Sequence, residues 1–127
     1  MADGFSTTFT NALLNLLNGT SATSYATVYI GIHTAAPGTA GTTSVSVGST
    51  TRASATFGTA ASGSISLSTT PQWTNGGTTE TITDISVWSA ASSGTFLFSA
   101  ALSTSKAWSS GDTLQLSSLS VSLPTAS

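Results

Sequence analysis

Hydrophobic and polar residues alternate with a period of two over most of this chain, and only its first twenty residues follow a helical period. The strongest alternation lies in two runs, Ile82–Ser89 and Thr95–Leu102, separated by the small-residue turn Ala90-Ala91-Ser92-Ser93-Gly94. Such runs read as strands. In the first, Ile85, Val87 and Ser89 fall on one face, with Ser86 and Trp88 on the other. In the second, Phe96 and Phe98 are expected on one face and Leu97 on the opposite one. These runs predict the centre of a β core. Further strands are expected at Ala26–His33, Arg52–Phe57, Gly63–Ser68, an extended Thr69–Trp73 in which Pro71 suits an edge, Thr113–Leu116, and Leu119–Leu123 before Pro124. Asn75-Gly76-Gly77 and Ser109-Ser110-Gly111-Asp112 supply turns. The expected fold is mainly β: one domain over residues 1–127, an antiparallel sandwich or jelly roll of about eight strands.

The helical stretch is Phe5, Phe9, Ala12, Leu13, Leu16 and Leu17, whose spacing makes one apolar stripe. Ser6 is placed to cap a helix over about residues 6–18, and Asn18-Gly19 to end it. The stripe is expected to pack on the protein's own sheet, with packing on a neighbouring subunit as the alternative. Thr34–Gly48 reads as a long Gly/Thr/Ala loop turning at Pro37-Gly38, with too little apolar content to build a core and order expected only from a partner, or as an exposed functional loop. Ser44–Val47 is a candidate edge strand within it.

Composition narrows the function. The chain contains 25 Ser and 25 Thr, and only 5% of its 127 residues are charged, against roughly 25% in ordinary domains. The charges are Asp3, Arg52, Glu80, Asp84, Lys106 and Asp112, net −2. No basic patch exists for nucleic acid, and no polybasic helix for a membrane surface. Mixed surface charge keeps soluble monomers apart, so its absence points to a protein packed against copies of itself or a larger assembly, the alternative being an extracellular or virion-surface protein whose hydroxyl-rich exterior is simply well hydrated. With no cysteine, neither disulfides nor a thiolate metal site are available. Met1-Ala2-Asp3 lacks the basic, apolar start of a signal peptide, so synthesis without export is expected.

Catalytic material is sparse. His33 is the only histidine, expected half-exposed at a strand end and hydrogen-bonded in the following loop. There is no G-x-S-x-G. Glu80 and Asp84, four apart on a strand, would stand about 13 Å from each other, too far for a glycosidase pair. No acidic cluster suits calcium. Arg52 and Lys106 are expected to pair with Glu80, Asp84 or Asp112. Among the aromatics, Trp108, just before a loop, is the best candidate for an exposed contact. No enzyme activity, cofactor or metal is expected.

The chain also resembles a known group. The N-terminal helix ending N-G is followed by I-G-I-H-T-A-A-P-G-T-A-G-T, R-A-S-A-T-F, I-T-D-I-S-V-W-S-A-A-S-S-G-T-F-L-F-S-A-A-L and S-S-G-D-T-L-Q-L. This series is similar to a family of small virion proteins of tailed bacteriophages, many labelled tail fibre proteins. The family's loop carries an acidic residue where this chain has Ala36. The resemblance implies a virion component. The leading expectation is a homotrimeric capsid decoration protein bridging major capsid subunits, with neither nucleic acid nor membrane as partner. The alternative is a tail-fibre module that recognises host-surface glycan. Interface residues are expected in the helix stripe (Phe5, Phe9, Leu13, Leu16, Leu17), in the loop region (His33, Pro37, Val45, Val47) and at Trp108.

Overall fold

The computed structural model describes residues 3–126. Met1 and Ala2, part of the expected non-signal start, and Ser127 lie outside the described residues. Eight strands follow one short helix: α1 Thr7–Leu14, β1 Val28–His33, β2 Ala53–Ala55, β3 Ser64–Ser66, β4 Gln72–Thr74, β5 Glu80–Trp88, β6 Phe96–Trp108, β7 Thr113–Gln115 and β8 Ser120–Ser122. The protein is mainly β and every strand pair is antiparallel.

The order β2-β1-β5-β6 forms the main sheet, while β3-β8 and β4-β7 form two-stranded ribbons. Cross-strand pairing puts Ile30 beside Val87 and Ile32 beside Ile85, then Val87 beside Phe98 and Ile85 beside Ala100. One face of the sheet is therefore a continuous apolar surface. Trp73 from β4 joins its buried cluster, and Leu67, Leu114, Leu116, Leu119 and Val121 pack against it half-buried. This gives the sandwich layering that the alternation predicts.

The strand β6 departs from its expected limits twice. Its pairing runs from Val87↔Phe98 directly to Trp88↔Phe96, so Leu97 is an extra residue. A bulge shifts the side-chain phase. Phe96 consequently joins the Trp88 face, with ring centroids 5.3 Å apart, and no longer shares the Phe98 face. Farther along, Asp84 pairs with Ala101 but Ile82 pairs with Lys106, so Leu102–Ser105 stand opposite Thr83 alone. The bulge breaks the alternation, which is why the pattern ends the strand at Leu102 although pairing resumes as far as Trp108.

Ser6 caps α1 as expected, its Oγ accepting from the Phe9 N–H at 3.1 Å. The last turn, Asn15–Asn18, tightens to a 3-10 helix and ends at Gly19 with φ 86°. Before the helix, residues 4–6 lie along β6: Ser6 N–H donates to Leu97 O at 2.8 Å and Ser99 N–H to Gly4 O at 2.9 Å.

The loop after β1 needs no partner to be ordered. Pro37 and Ser46 are fully buried, and the loop folds back over the second face of the sheet. Val45 forms an isolated bridge with His33, all that is seen of the candidate edge strand. Gly41 sits at φ +74°, and a Cβ there would meet the Phe96 ring at 2.6 Å. Gly41→Ala is expected to lose about 1–3 kcal/mol, from the strained φ and from overlap with a packed ring. Chemical denaturation measures this, and an unchanged midpoint would contradict the packing.

Candidate functional site

The second face of the main sheet carries His33, Asp84, Ser86, Trp88 and, at its margin, Arg52. The loop roofs this polar layer. Trp88 Nε1–H donates to Ser86 Oγ at 2.8 Å, and His33 Nε2 lies 2.7 Å from the same oxygen. His33 Nδ1 lies 2.9 Å from Thr43 O. A carbonyl only accepts, so the proton is on Nδ1 and Ser86 donates to Nε2. The relay runs Trp88 to Ser86 to a neutral His33 to the loop.

A serine bonded to a histidine invites a catalytic reading, and the geometry argues against one. Ser86 is 1% and His33 2% exposed, and the Ser86 oxygen already accepts the indole. A nucleophile needs an open line to a carbonyl and an oxyanion site. His33 is thus buried rather than half-exposed, although its bond to the following loop is present.

Arg52 packs its guanidinium over Trp88, 3.7 Å from the ring centroid. Its Nη1 donates to Ala90 O at 2.9 Å and Ser93 O at 2.7 Å. The expected carboxylate partner is replaced by an aromatic face and the carbonyls of the β5–β6 turn. Such a cation–π contact contributes about 0.5–2 kcal/mol, depending on its desolvation.

Glu80 fastens the far end of the loop. Its carboxylate accepts from Ser46 Oγ, from the N–H groups of Val47 and Gly48 at 3.0 and 3.1 Å, and from Trp108 Nε1 at 3.1 Å. Trp108 is 3% exposed, so it is a core residue and not the exposed contact that the sequence suggests. It precedes a loop, but its pairing with Glu80 turns the indole inward. Pro37 and His33, also expected at an interface, are likewise internal. Val45 and Val47 are 41% and 70% exposed.

Burial lowers the pKa of His33, with the Thr43 carbonyl opposing. Burial pushes Glu80 up, but the hydrogen bonds from Ser46, Val47, Trp108 and Gly48 outweigh it and hold the carboxyl below its usual range. Both effects make acid destabilising. Below about pH 6.5 the unfolded chain takes up a proton that folded His33 resists, so stability falls until His33's own lowered pKa is reached. Glu80's contribution is complete above about pH 4.5 and disappears as pH drops through its depressed value. Asp3 works the other way, because burial and a hydrogen bond to Asp84 raise its pKa against Ser99. Unfolding midpoints measured against pH should therefore fall in acid, and His33→Gln should remove the stage that begins near pH 6.5. A midpoint flat from pH 7 to 5 would contradict the buried neutral imidazole.

The apolar stripe of α1 divides. Phe5 stacks edge-on with Phe9 and Phe98 at 5.6 and 5.7 Å, and Phe9 packs on the core. Ala12 and Leu13 are half-buried, but Leu14, Leu16 and Leu17 are 59%, 54% and 88% exposed. The stripe packs on the protein's own sheet through Phe5 and Phe9 and is exposed from Leu14 onward.

A cavity of about 730 Å³ opens between the outer half of β6 and the segment Thr113–Ser120, floored by Trp73 and Ile85. Among the described residues no three His, Cys, Asp or Glu gather to hold a metal ion. No described helix is long and apolar enough to cross a membrane.

Residues 4–124 match the model of the family described as podophage GP4 fiber I protein gp80. The chain belongs to this family. It thus falls within a small structural protein family of tailed-phage virions, in agreement with the resemblance read from the sequence. The fiber description does not support capsid decoration, and it fits the fibre alternative better. No curated protein matches the chain.

Proposed function

We propose that the chain is a non-enzymatic structural module of a virion fibre, and that it contributes to contact with host-surface glycan. The observation that carries the fibre reading is the family match, which spans nearly the whole chain. The site geometry is consistent with it. The polar groups that resemble catalytic machinery are roofed and hydrogen-bonded, and they serve to hold the loop on the sheet. What remains at the surface is hydroxyl-rich and almost uncharged. The glycan part of the reading rests on those hydroxyl-rich loops, since buried Trp108 provides no stacking platform. Immunogold labelling of intact virions tests the fibre reading. Label on fibres is expected, and label spread over the capsid would refute it. A glycan array with the purified protein tests the second part, which a uniformly blank array would remove.

The exposed end of the helix belongs to the same reading. Leu16→Asp with Leu17→Asp should leave the monomer folded, because neither side chain is buried. Incorporation into virions should drop at least about tenfold if this apolar tip packs against a neighbouring subunit. Normal incorporation of the folded double variant would exclude the tip from assembly.

A further inference from the structure

We propose that the free edge of β6 accepts an extended strand from a second copy of this chain, closing an open seam in the sandwich. The identity of the occupant rests in part on the fibre reading, while the seam itself is a feature of the fold.

The seam is the 730 Å³ cavity. One wall is Ala100–Thr104 with Lys106, and the other is Thr113–Ser120. Each wall makes its main-chain bonds away from the gap. The strand β6 pairs with β5, β7 with β4, and β8 with β3. Among the described residues no main-chain hydrogen bond crosses from one wall to the other. Leu102–Ser105, opposite Thr83 alone, lack even their partners on β5. Unpaired strand edges of this kind are templates for strand addition.

Three observations say that something belongs there. Leu102, Leu114, Leu116 and Leu119 contact the core but are only half-buried along the seam, whereas the central positions of the same core are closed. Trp73, at the floor, is 4% exposed, and its Nε1–H has no acceptor. Buried donors nearly always have one. The edge also already takes a strand at its other end. Residues 4–6 pair with Leu97–Ser99, and the free edge is the direct continuation of that pairing.

A second copy suits the chemistry. A fibre brings copies of its subunits together. The side chains along this edge are small and neutral, namely Ala101, Ser103, Thr104 and Ser105, and they let another backbone approach. Among the described residues that line the seam, Lys106 alone is charged.

The test uses the full chain. Its mass is followed by sedimentation over a range of concentrations, together with hydrogen exchange at the amides of Ala101–Ser105. Concentration-dependent oligomers are expected, with these amides slowing by at least about tenfold on assembly. Ser103→Pro, which removes an edge N–H, should stay folded and monomeric, and Ser103→Ala should assemble like the parent. If Ser103→Pro fails to fold, exchange in the parent chain still decides. A chain that stays monomeric at every concentration overturns the proposal. So does an oligomer whose Ala101–Ser105 amides exchange as fast as in the monomer. Protection that arises only on adding another virion protein overturns the second copy as occupant. Seam protection in a protein that labels the capsid would sink the fibre reading and leave the seam standing.

Discussion

Replacing Glu80 with alanine is expected to destabilise the protein by about 3 kcal/mol, although the residue is neither in the apolar core nor part of a chemical site. The carboxylate holds four donors. It accepts from the Ser46 hydroxyl, the Val47 and Gly48 N–H groups and the Trp108 indole. Ser46 and Trp108 are 1% and 3% exposed. A buried donor left without an acceptor costs about 1–3 kcal/mol. Val47 is exposed and will find water, and Glu80 itself is only partly covered, so the full sum is not reached. Glu80→Gln keeps a carbonyl acceptor and loses the charge, and should cost roughly half as much. Urea denaturation of the two variants gives the comparison. A loss below about 1 kcal/mol for Glu80→Ala would mean that the loop is held by other contacts.

Ile30→Ala is expected to cost about 2–5 kcal/mol, the range for truncating a closed core position. Ile30 is fully buried at the centre of the main sheet, paired with Ala53 on one side and Val87 on the other. Backbone pairing fixes its neighbours, so the space left by the side chain cannot readily collapse. Leu17→Ala is the contrasting case. At 88% exposure, Leu17 should change monomer stability by less than about 0.5 kcal/mol. Equal losses at the two positions would invert the assignment of inside and outside.

The period-two alternation made most strands legible, because a face that packs on a core must repeat every second residue. Ser6 and Gly19 were legible as helix ends for local reasons, a side-chain acceptor and a left-handed turn. The bulge at Leu97 was not. An inserted residue leaves a run of apolar side chains unaltered in sequence and changes only which face each one meets. The polar layer was hidden for a different reason. His33 and Ser86 are 53 residues apart, and Ser46 and Glu80 are 34 apart. No local pattern distinguishes a serine that completes a relay from the many that coat the surface. The small polar residues of Thr34–Gly48 build no apolar core, so the sequence leaves that loop either partner-dependent or an exposed functional loop. Its order comes from hydrogen bonds to Glu80 and from Pro37 and Gly41 fitting against the sheet. Adjacency to a loop says nothing about where an indole points, so the pattern around Trp108 does not show that it faces inward.

The most direct test of the fibre assignment is the amount of this chain in purified virions relative to the major capsid protein, measured by quantitative gel densitometry. The fibre account predicts a small fraction of the capsid protein's copy number, with the chain lost from particles stripped of their fibres. A ratio near one to one, retained on fibreless heads, would contradict it and return the protein to the capsid surface.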